Sequence, residues 1–333
     1  MYRQLRLILI GVTFCFLGTF SFIESLSTSK RKPSKSLIIK AIEQICKEVP
    51  GIFGISALHL ERNQALEFNA HKRFPMASTY KVPIGAYCLS LLDKGVINKQ
   101  LKVKITPRTM RRYCFVAPGQ ILPLKKLIKL MLERSDNATA DIILKLVGGG
   151  RAVTRWLQTK GFRGIRIDRP TLKLCADYSG ICLPGDEYNC TVRNYNQLLR
   201  GVGKKQSMLA AKKFYTDARD TTTPHKMVEF LARLYQGKLI SKSSTNFLLQ
   251  SMLNCTRGQR RIVHLLPKGT KVWHKTGTMD GIVSDIGIIE LPKTKGHLVL
   301  AIYTNKSVTH LRKKESIIAR ISKKLFDYFS QSI

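Results

Sequence analysis

The chain has 333 residues, 44% of them hydrophobic, and a formal net charge of +36 from 57 Lys and Arg against 21 Asp and Glu. That length and apolar content suffice to bury one large core or two linked ones, which excludes intrinsic disorder and any need for a metal or an oligomer in folding. The basic residues are scattered rather than gathered on one reading helix, and RNA-binding, zinc-finger and helix-turn-helix signatures are lacking; nucleic acid is therefore not the expected partner, and an anionic envelope surface is the simpler reason for the charge.

In chain order, Arg3 and Arg6 precede an apolar run from Leu7 to Ile23. Residues 1–27 are read as a signal peptide with a small-residue cleavage site near Ser25-Leu26-Ser27, or as an N-terminal anchor, because 17 residues lie at the lower limit for crossing a bilayer. Both readings predict an exported chain: periplasmic, secreted or held at the inner membrane through residues 7–23. Residues 28–36, basic and containing Ser and Pro, suit a linker. An amphipathic helix is expected over Leu37 to Val49, then two short apolar runs, "GIFGISALHLE" and "QALEFN", turn at Arg62-Asn63 as a hairpin.

From about residue 74 to 220 the apolar period is helical. "TYKVPIGAYCLSLLDKG", "LPLKKLIKLMLERSDN", "ATADIILKLVGGG" and "GRAVTRWLQTKGF" read as helices punctuated by glycine, and two more follow Pro224. "GTKVWHKTGT", "GIVSDIGIIELP" and "GHLVLAIYTNK" have the β-branched alternation of three antiparallel strands, and a last amphipathic helix covers Arg312 to Phe329. Strands at both ends around a helical middle predict an α+β domain over 37–333. Its sheet portion comprises 37–73 and 221–333, interrupted by an all-helical subdomain over 74–220.

Seven cysteines follow the leader: Cys46, Cys88, Cys114, Cys175, Cys182, Cys190 and Cys255. In an oxidising compartment some are expected to pair, and Cys175, Cys182 and Cys190 are spaced to staple a local loop. No CxxC or HxxxH spacing occurs, so neither a metal nor a cofactor is expected.

Ser78 and Lys81 stand three residues apart at the start of an apolar helix, so a hydroxyl and an amine share one face. A lysine that loses its proton accepts one from the serine, and a second nearby cation favours that loss. Taken singly the pattern is weak: it also occurs at Ser27 to Lys30 and Ser29 to Lys32, and a serine there is usually an ordinary helix cap. Two tripeptides change the weight. Ser135-Asp136-Asn137 begins 57 residues after Ser78, and Lys275-Thr276-Gly277 begins 138 residues after Asn137. Each arises by chance in about one chain in ten or twenty, so the ordered set is informative.

The three motifs, with "SDNATADIILKLVGGG", "RDTTTP", "LLPKGTKVWHKTGT" and "SDIGIIELP", resemble the class A serine β-lactamases and their penicillin-binding relatives over roughly residues 37 to 330. The resemblance implies an antiparallel sheet flanked by helices and an inserted helical subdomain. It implies Ser78 as nucleophile, Lys81 as its activator, Ser135 as proton donor to the leaving nitrogen and Lys275 as the fixed positive charge. Backbone N–H groups of Ser78 and Thr278 would form the oxyanion hole. Asn137 would hold the substrate's acylamide side chain, and Thr276, Gly277 and Thr278 would line its carboxylate. Arg261 lies where some relatives carry a carboxylate-binding arginine, and no Arg or Lys occurs between Thr278 and Pro292.

One stretch departs from the family. Asp168-Arg169 and Asp220 resemble the ends of an omega-shaped loop, and Arg169 is expected to pair with Asp220. Two residues after Arg169, where the family carries the glutamate that drives the deacylating water, stands Thr171. A hydroxyl is no general base at neutral pH. The segment Pro170 to Arg219 is also expanded to 50 residues. Asp177 and Glu187 are the candidate replacement bases, against simple surface solvation. The expected function is a monomeric serine hydrolase opening β-lactams through an acyl-enzyme on Ser78. The alternatives are a D,D-peptidase or β-lactam sensor that acylates on a β-lactam or peptidoglycan stem peptide and releases slowly, and a non-catalytic envelope protein binding polyanions or a protein partner.

Overall fold

The computed structural model describes residues 33–331 apart from 186, 187 and 189. The leader and most of the basic linker lie outside the described residues, as does Glu187. Ser34 caps α1 (Lys35–Lys47) through its hydroxyl, and the chain then forms the expected hairpin, β1 (Ile52–His59) and β2 (Gln64–Phe68), turning where Asn63 adopts φ 50°. The two-residue strand β3 (Phe74–Pro75) leads into a 3₁₀ turn, Ala77–Tyr80, that runs on as α2 (Lys81–Asp93). Then come the small ribbon β4 (Lys102–Lys104) and β5 (Ile121–Pro123), followed by α3 (Leu124–Lys129), α4 (Asn137–Leu146) and α5 (Gly149–Thr159).

The segment expected as an expanded loop is instead largely helical, with α6 (Thr171–Ser179), α7 (Val192–Arg200) and α8 (Lys204–Phe214). It closes its own small core of Leu172, Ala176, Ile181, Cys190 and Tyr195. Leu174 and Phe214 pack separately with Ala77 and Ile282, fastening the insertion to the sheet. After β6 (Thr221–Thr222), which pairs with β3, the chain continues through α9 (Pro224–Tyr235) and α10 (Lys242–Leu253). It ends with β7 (Val272–Met279), β8 (Ile282–Glu290), β9 (His297–Asn305) and α11 (Leu311–Ser330).

The main sheet is antiparallel throughout, in the order β2-β1-β9-β8-β7. Helices cover both faces, which is why β8 and β9 are buried along nearly their whole length rather than on alternate residues. One core holds Ile42 of α1 and Ile318 of α11 against Ile55 and Ile302. The other holds α2, α4, α5 and α9 around Ile84, Ile143, Val153 and Phe230. The order leaves β7, the strand of Lys275-Thr276-Gly277, at an edge of the sheet, and an edge strand keeps a row of backbone groups free to pair with something else. None of the seven described cysteines is disulfide-bonded, contrary to the pairing expected from their spacing. Cys46 and Cys88 belong to different cores, whereas Cys175 and Cys190 share the insertion's small one.

Arg169 and Asp220 pair as expected. Asp220 accepts the backbone N–H groups of Asp168 (2.8 Å) and Arg169 (3.1 Å) on one oxygen and Arg169 Nε (2.5 Å) on the other, with both side chains buried. Its own carbonyl accepts Met76 N–H at 3.0 Å, so the clasp that closes the insertion also supports the turn before Ser78. Truncating one member of a buried ion pair strands the other, at about 3–5 kcal/mol. Arg169→Ala is therefore expected to lower unfolding stability by about that amount in urea titration, and a loss below about 1 kcal/mol would show that the clasp is not structurally needed.

Candidate active site

Ser78 is set by a strained backbone. Ala77, the residue before it, has φ 45°, a left-handed conformation that costs an L-residue about 1–2 kcal/mol and persists only where packing enforces it. The packing is visible at Gly277 of β7. A Cβ there would come within 2.4 Å of Ser284 Oγ, 2.6 Å of the Met76 carbonyl oxygen and 3.2 Å of Ala77 Cβ. Glycine at 277 lets the edge strand lie directly against the turn that carries Ser78.

Ser135 is held in a similar way from the helical side. α3 widens into one π-helical turn, Leu130–Arg134, and ends on Ser135 with φ 59°. Such irregular turns recur at functional sites because they re-aim a side chain. Asp136 follows as the cap of α4: one oxygen accepts Thr139 N–H at 2.8 Å and the other accepts Phe115 N–H, lashing the 112–115 segment to the site.

Two lysines meet on this short segment, and neither exposes any surface. Lys81 Nζ donates to the Ser135 carbonyl (2.8 Å), the Asp136 carbonyl (3.3 Å) and Asn137 Oδ1 (2.7 Å). Lys275 Nζ donates to Ser135 Oγ and to its neighbour's carbonyl at Thr276, each at 2.9 Å. Burial, reinforced by the charge of Lys275, pulls the Lys81 ammonium down from 10.5 to about 7. Lys275 is likewise drawn down by burial, to about 8; Cys255 and Asp285 oppose the fall and Arg261 and Arg257 add to it. For Lys81 the change is worth about 5 kcal/mol against the charged form, enough to make a neutral amine available near pH 7.

Asn137 is committed on both ends, because Nδ2 donates to the Arg112 carbonyl at 2.9 Å while Oδ1 takes the lysine. Arg261 lies buried beneath the edge strand. Its guanidinium donates to the carbonyls of Gly277 (3.0 Å) and Ser284 (2.9 Å), to Thr278 Oγ1 (2.7 Å) and to Glu315 (3.1 Å). An exposed Thr278 hydroxyl backed by a fixed cation is an arrangement suited to a carboxylate. Ser78, Ser135, Asn137, Arg261, Thr276 and Thr278 all border one cavity of about 950 Å³.

The side of that cavity formed by α6 is different in character. Thr171 is buried with Oγ1 2.6 Å from Tyr80 Oη. Leu172, Leu174, Cys175 and Tyr178 continue the wall, and burial pushes the Cys175 thiol up to about 11, so it stays neutral. Among the described residues bordering the cavity, the carboxylates are Asp280, which neighbours Tyr178 of α6, and Glu315, which pairs with Arg261. Asp177 is not on the cavity wall; its carboxylate is held by Arg169 Nη1 (2.8 Å), by Lys173 and by Arg219 (3.3 Å). Burial alone would raise its pKa, but those cations keep it below the ordinary aspartate value.

Two features were not read from the sequence. Asp141, fully buried, accepts Arg111 Nε at 2.7 Å and the N–H groups of Thr171 (2.5 Å) and Leu172 (3.1 Å), so it fixes the start of α6 against α4. The sequence reading placed "ATADIILKLVGGG" in a helix without singling out that residue. Behind Lys275, His274 Nδ1 lies 3.1 Å from buried Asp285, and this carboxylate together with Cys255 holds the imidazole protonated, up to about 10, against the effect of burial.

Comparison with known proteins agrees with this geometry. A family model described as the β-lactamase enzyme family matches residues 37–329. β-Lactamase VEB-1 of Pseudomonas aeruginosa is 27% identical over 303 residues, spanning 86% of this chain and 89% of its own; extended-spectrum β-lactamase PER-1 of the same organism is 24% identical, spanning 91% and 90%. The crystal structure of TLA-1 extended-spectrum β-lactamase superposes with a TM-score of 0.71 at 27% identity, covering 90% of this chain and 100% of that one. With the matched model spanning most of its length, the chain belongs to the class A serine β-lactamase family.

Proposed function

We propose that the protein is an exported serine hydrolase that opens β-lactam rings by acylation of Ser78 and releases the product slowly. The observation that carries this reading is the pair of fully buried amines, Lys81 and Lys275, converging on Ser135, which borders the same cavity as Ser78. Neutral Lys81 takes the Ser78 proton as Oγ attacks the lactam carbonyl. The backbone N–H groups of Ser78 and Thr278 stabilise the oxyanion. The C–N bond then breaks as Ser135 gives a proton to the nitrogen and takes up the one held by Lys81, with the charge of Lys275 beside it. The substrate carboxylate rests on Thr276 and Thr278 above Arg261, and Asn137 offers its amide to the acylamide group, exchanging its bond to the Arg112 carbonyl.

Slow release follows from the α6 wall. Thr171 stands where the family carries its base, and its hydroxyl is engaged by Tyr80. Asp177 serves as a counter-ion for Arg169 and Lys173, so of the two candidate bases it is the poorer; Glu187 remains a candidate base. The same observation favours the reading as a penicillin-recognising sensor or D,D-peptidase, which shares the first half-reaction. On either reading no cofactor takes part, and a polyanion-binding role has no comparable support in the site.

Three outcomes test this. Intact mass recorded during incubation with a chromogenic cephalosporin should show a persistent adduct of one opened lactam per chain. The adduct should be absent in Ser78→Ala, and an undiminished one there would end the assignment. The acylation rate should trace a bell, rising with pH through about 7 as Lys81 loses its proton and falling above about 8 as Lys275 loses the charge it must carry. A rate flat across pH 6 to 9 contradicts the role of both amines. Restoring a carboxylate with Thr171→Glu should speed loss of the adduct by on the order of 100-fold, the usual worth of a positioned base; no acceleration in a folded variant would place the deacylating step elsewhere.

A further inference from the structure

Where the edge strand β2 meets the start of α9, one carboxylate serves two imidazoles. Glu67 Oε1 lies 2.8 Å from His225 Nδ1, and Glu67 Oε2 lies 3.4 Å from His71 Nε2. The two rings are 4.8 Å apart between centroids, and one ligand atom from each of the three residues falls within 4.8 Å of the others. The cluster is assembled by backbone as well as side chains. His225 lies in the first turn of α9, and its N–H donates to the Ala70 carbonyl at 3.0 Å, so the segment carrying His71 and the start of the helix are already joined. Ser56 Oγ donates to Glu67 Oε1 at 2.8 Å and orients the carboxylate from behind. A groove of about 470 Å³, bordered by Ser56, Glu67 and His225, gives solvent access and room for a further ligand.

We propose that Glu67, His71 and His225 bind a divalent transition-metal ion, with Zn²⁺ the best-matched. Two imidazole nitrogens and one carboxylate oxygen are a donor set for zinc, nickel or copper rather than for magnesium or calcium, which take oxygen ligands. In a tetrahedral zinc site with bonds of about 2.0–2.1 Å the ligand atoms lie about 3.4 Å apart. The exposed His71 ring, 75% accessible, has the freedom to close the remaining ångström or so. Ser56 holds the carboxylate as outer-shell partners do in metal sites. The ion joins the end of β2 to the start of α9 and so brackets the β3–β6 ribbon that leads into the Ser78 turn. Because it binds only the folded chain, it stabilises the fold. The proposal is independent of the chemistry at Ser78.

Calorimetric titration with ZnCl₂, with MgCl₂ as the control, tests it on the intact chain after its accessible thiols are alkylated. One Zn²⁺ should bind per chain and raise the melting temperature, with no response to Mg²⁺. His71→Ala and His225→Ala should each weaken Zn²⁺ by at least about tenfold, with Ser56→Ala weakening it less. His71 is exposed, so that variant should keep the parent's circular dichroism and metal-free melting temperature. Equal zinc affinity in the parent and in His71→Ala, or zinc uptake that vanishes on alkylation, would overturn the site.

Discussion

Two ammonium groups removed from water have to be satisfied by a handful of oxygens, and the architecture around them follows from that requirement. Lys81 finds three acceptors within Ser135, Asp136 and Asn137, and Lys275 finds a fourth on Ser135. To place those oxygens the chain accepts a π-helical turn and a left-handed serine. To bring the edge strand close enough it accepts glycine at 277 and a left-handed Ala77. Each irregularity is costly alone, and each is held by the same neighbours that the lysines need. Full burial also lowers the proton affinity of both amines, so the arrangement that restrains the backbone also favours a neutral amine at Lys81.

The opposite wall follows a different logic. Asp141 and Asp220 spend their carboxylates on backbone N–H groups and arginines, one at each end of the insertion. Asp177 is taken up by the same arginine as Asp220. These carboxylates hold the segment in place, while the α6 side chains turned to the cavity are hydroxyl, thiol and hydrocarbon, with Asp280 beside Tyr178.

The gathering of Ser78 and Ser135 on one cavity, the two buried lysines and the sheet strands were legible because short motifs fix hydroxyl, amine and glycine at characteristic separations and because the terminal strands alternate strongly. The insertion was not. α7 and α8 are short and polar, and each buries a single side chain, Tyr195 and Phe214, so too few apolar residues mark them as helices. The cysteine spacing suggested a staple, yet Cys175 and Cys190 pack in the insertion's small core as free thiols and Cys182 is exposed. The Glu67 cluster was equally hidden, since His71 and His225 are 154 positions apart and meet only once β2 and α9 pack.

The insertion has its own small core, bounded by Leu172 and Tyr195 and distinct from the two large ones. Leu174 and Phe214 seat it on Ala77 and Ile282, and Thr171 meets Tyr80. Any loosening of this small core is therefore transmitted to the turn that carries Ser78, so the wall of the cavity and that turn share one local stability.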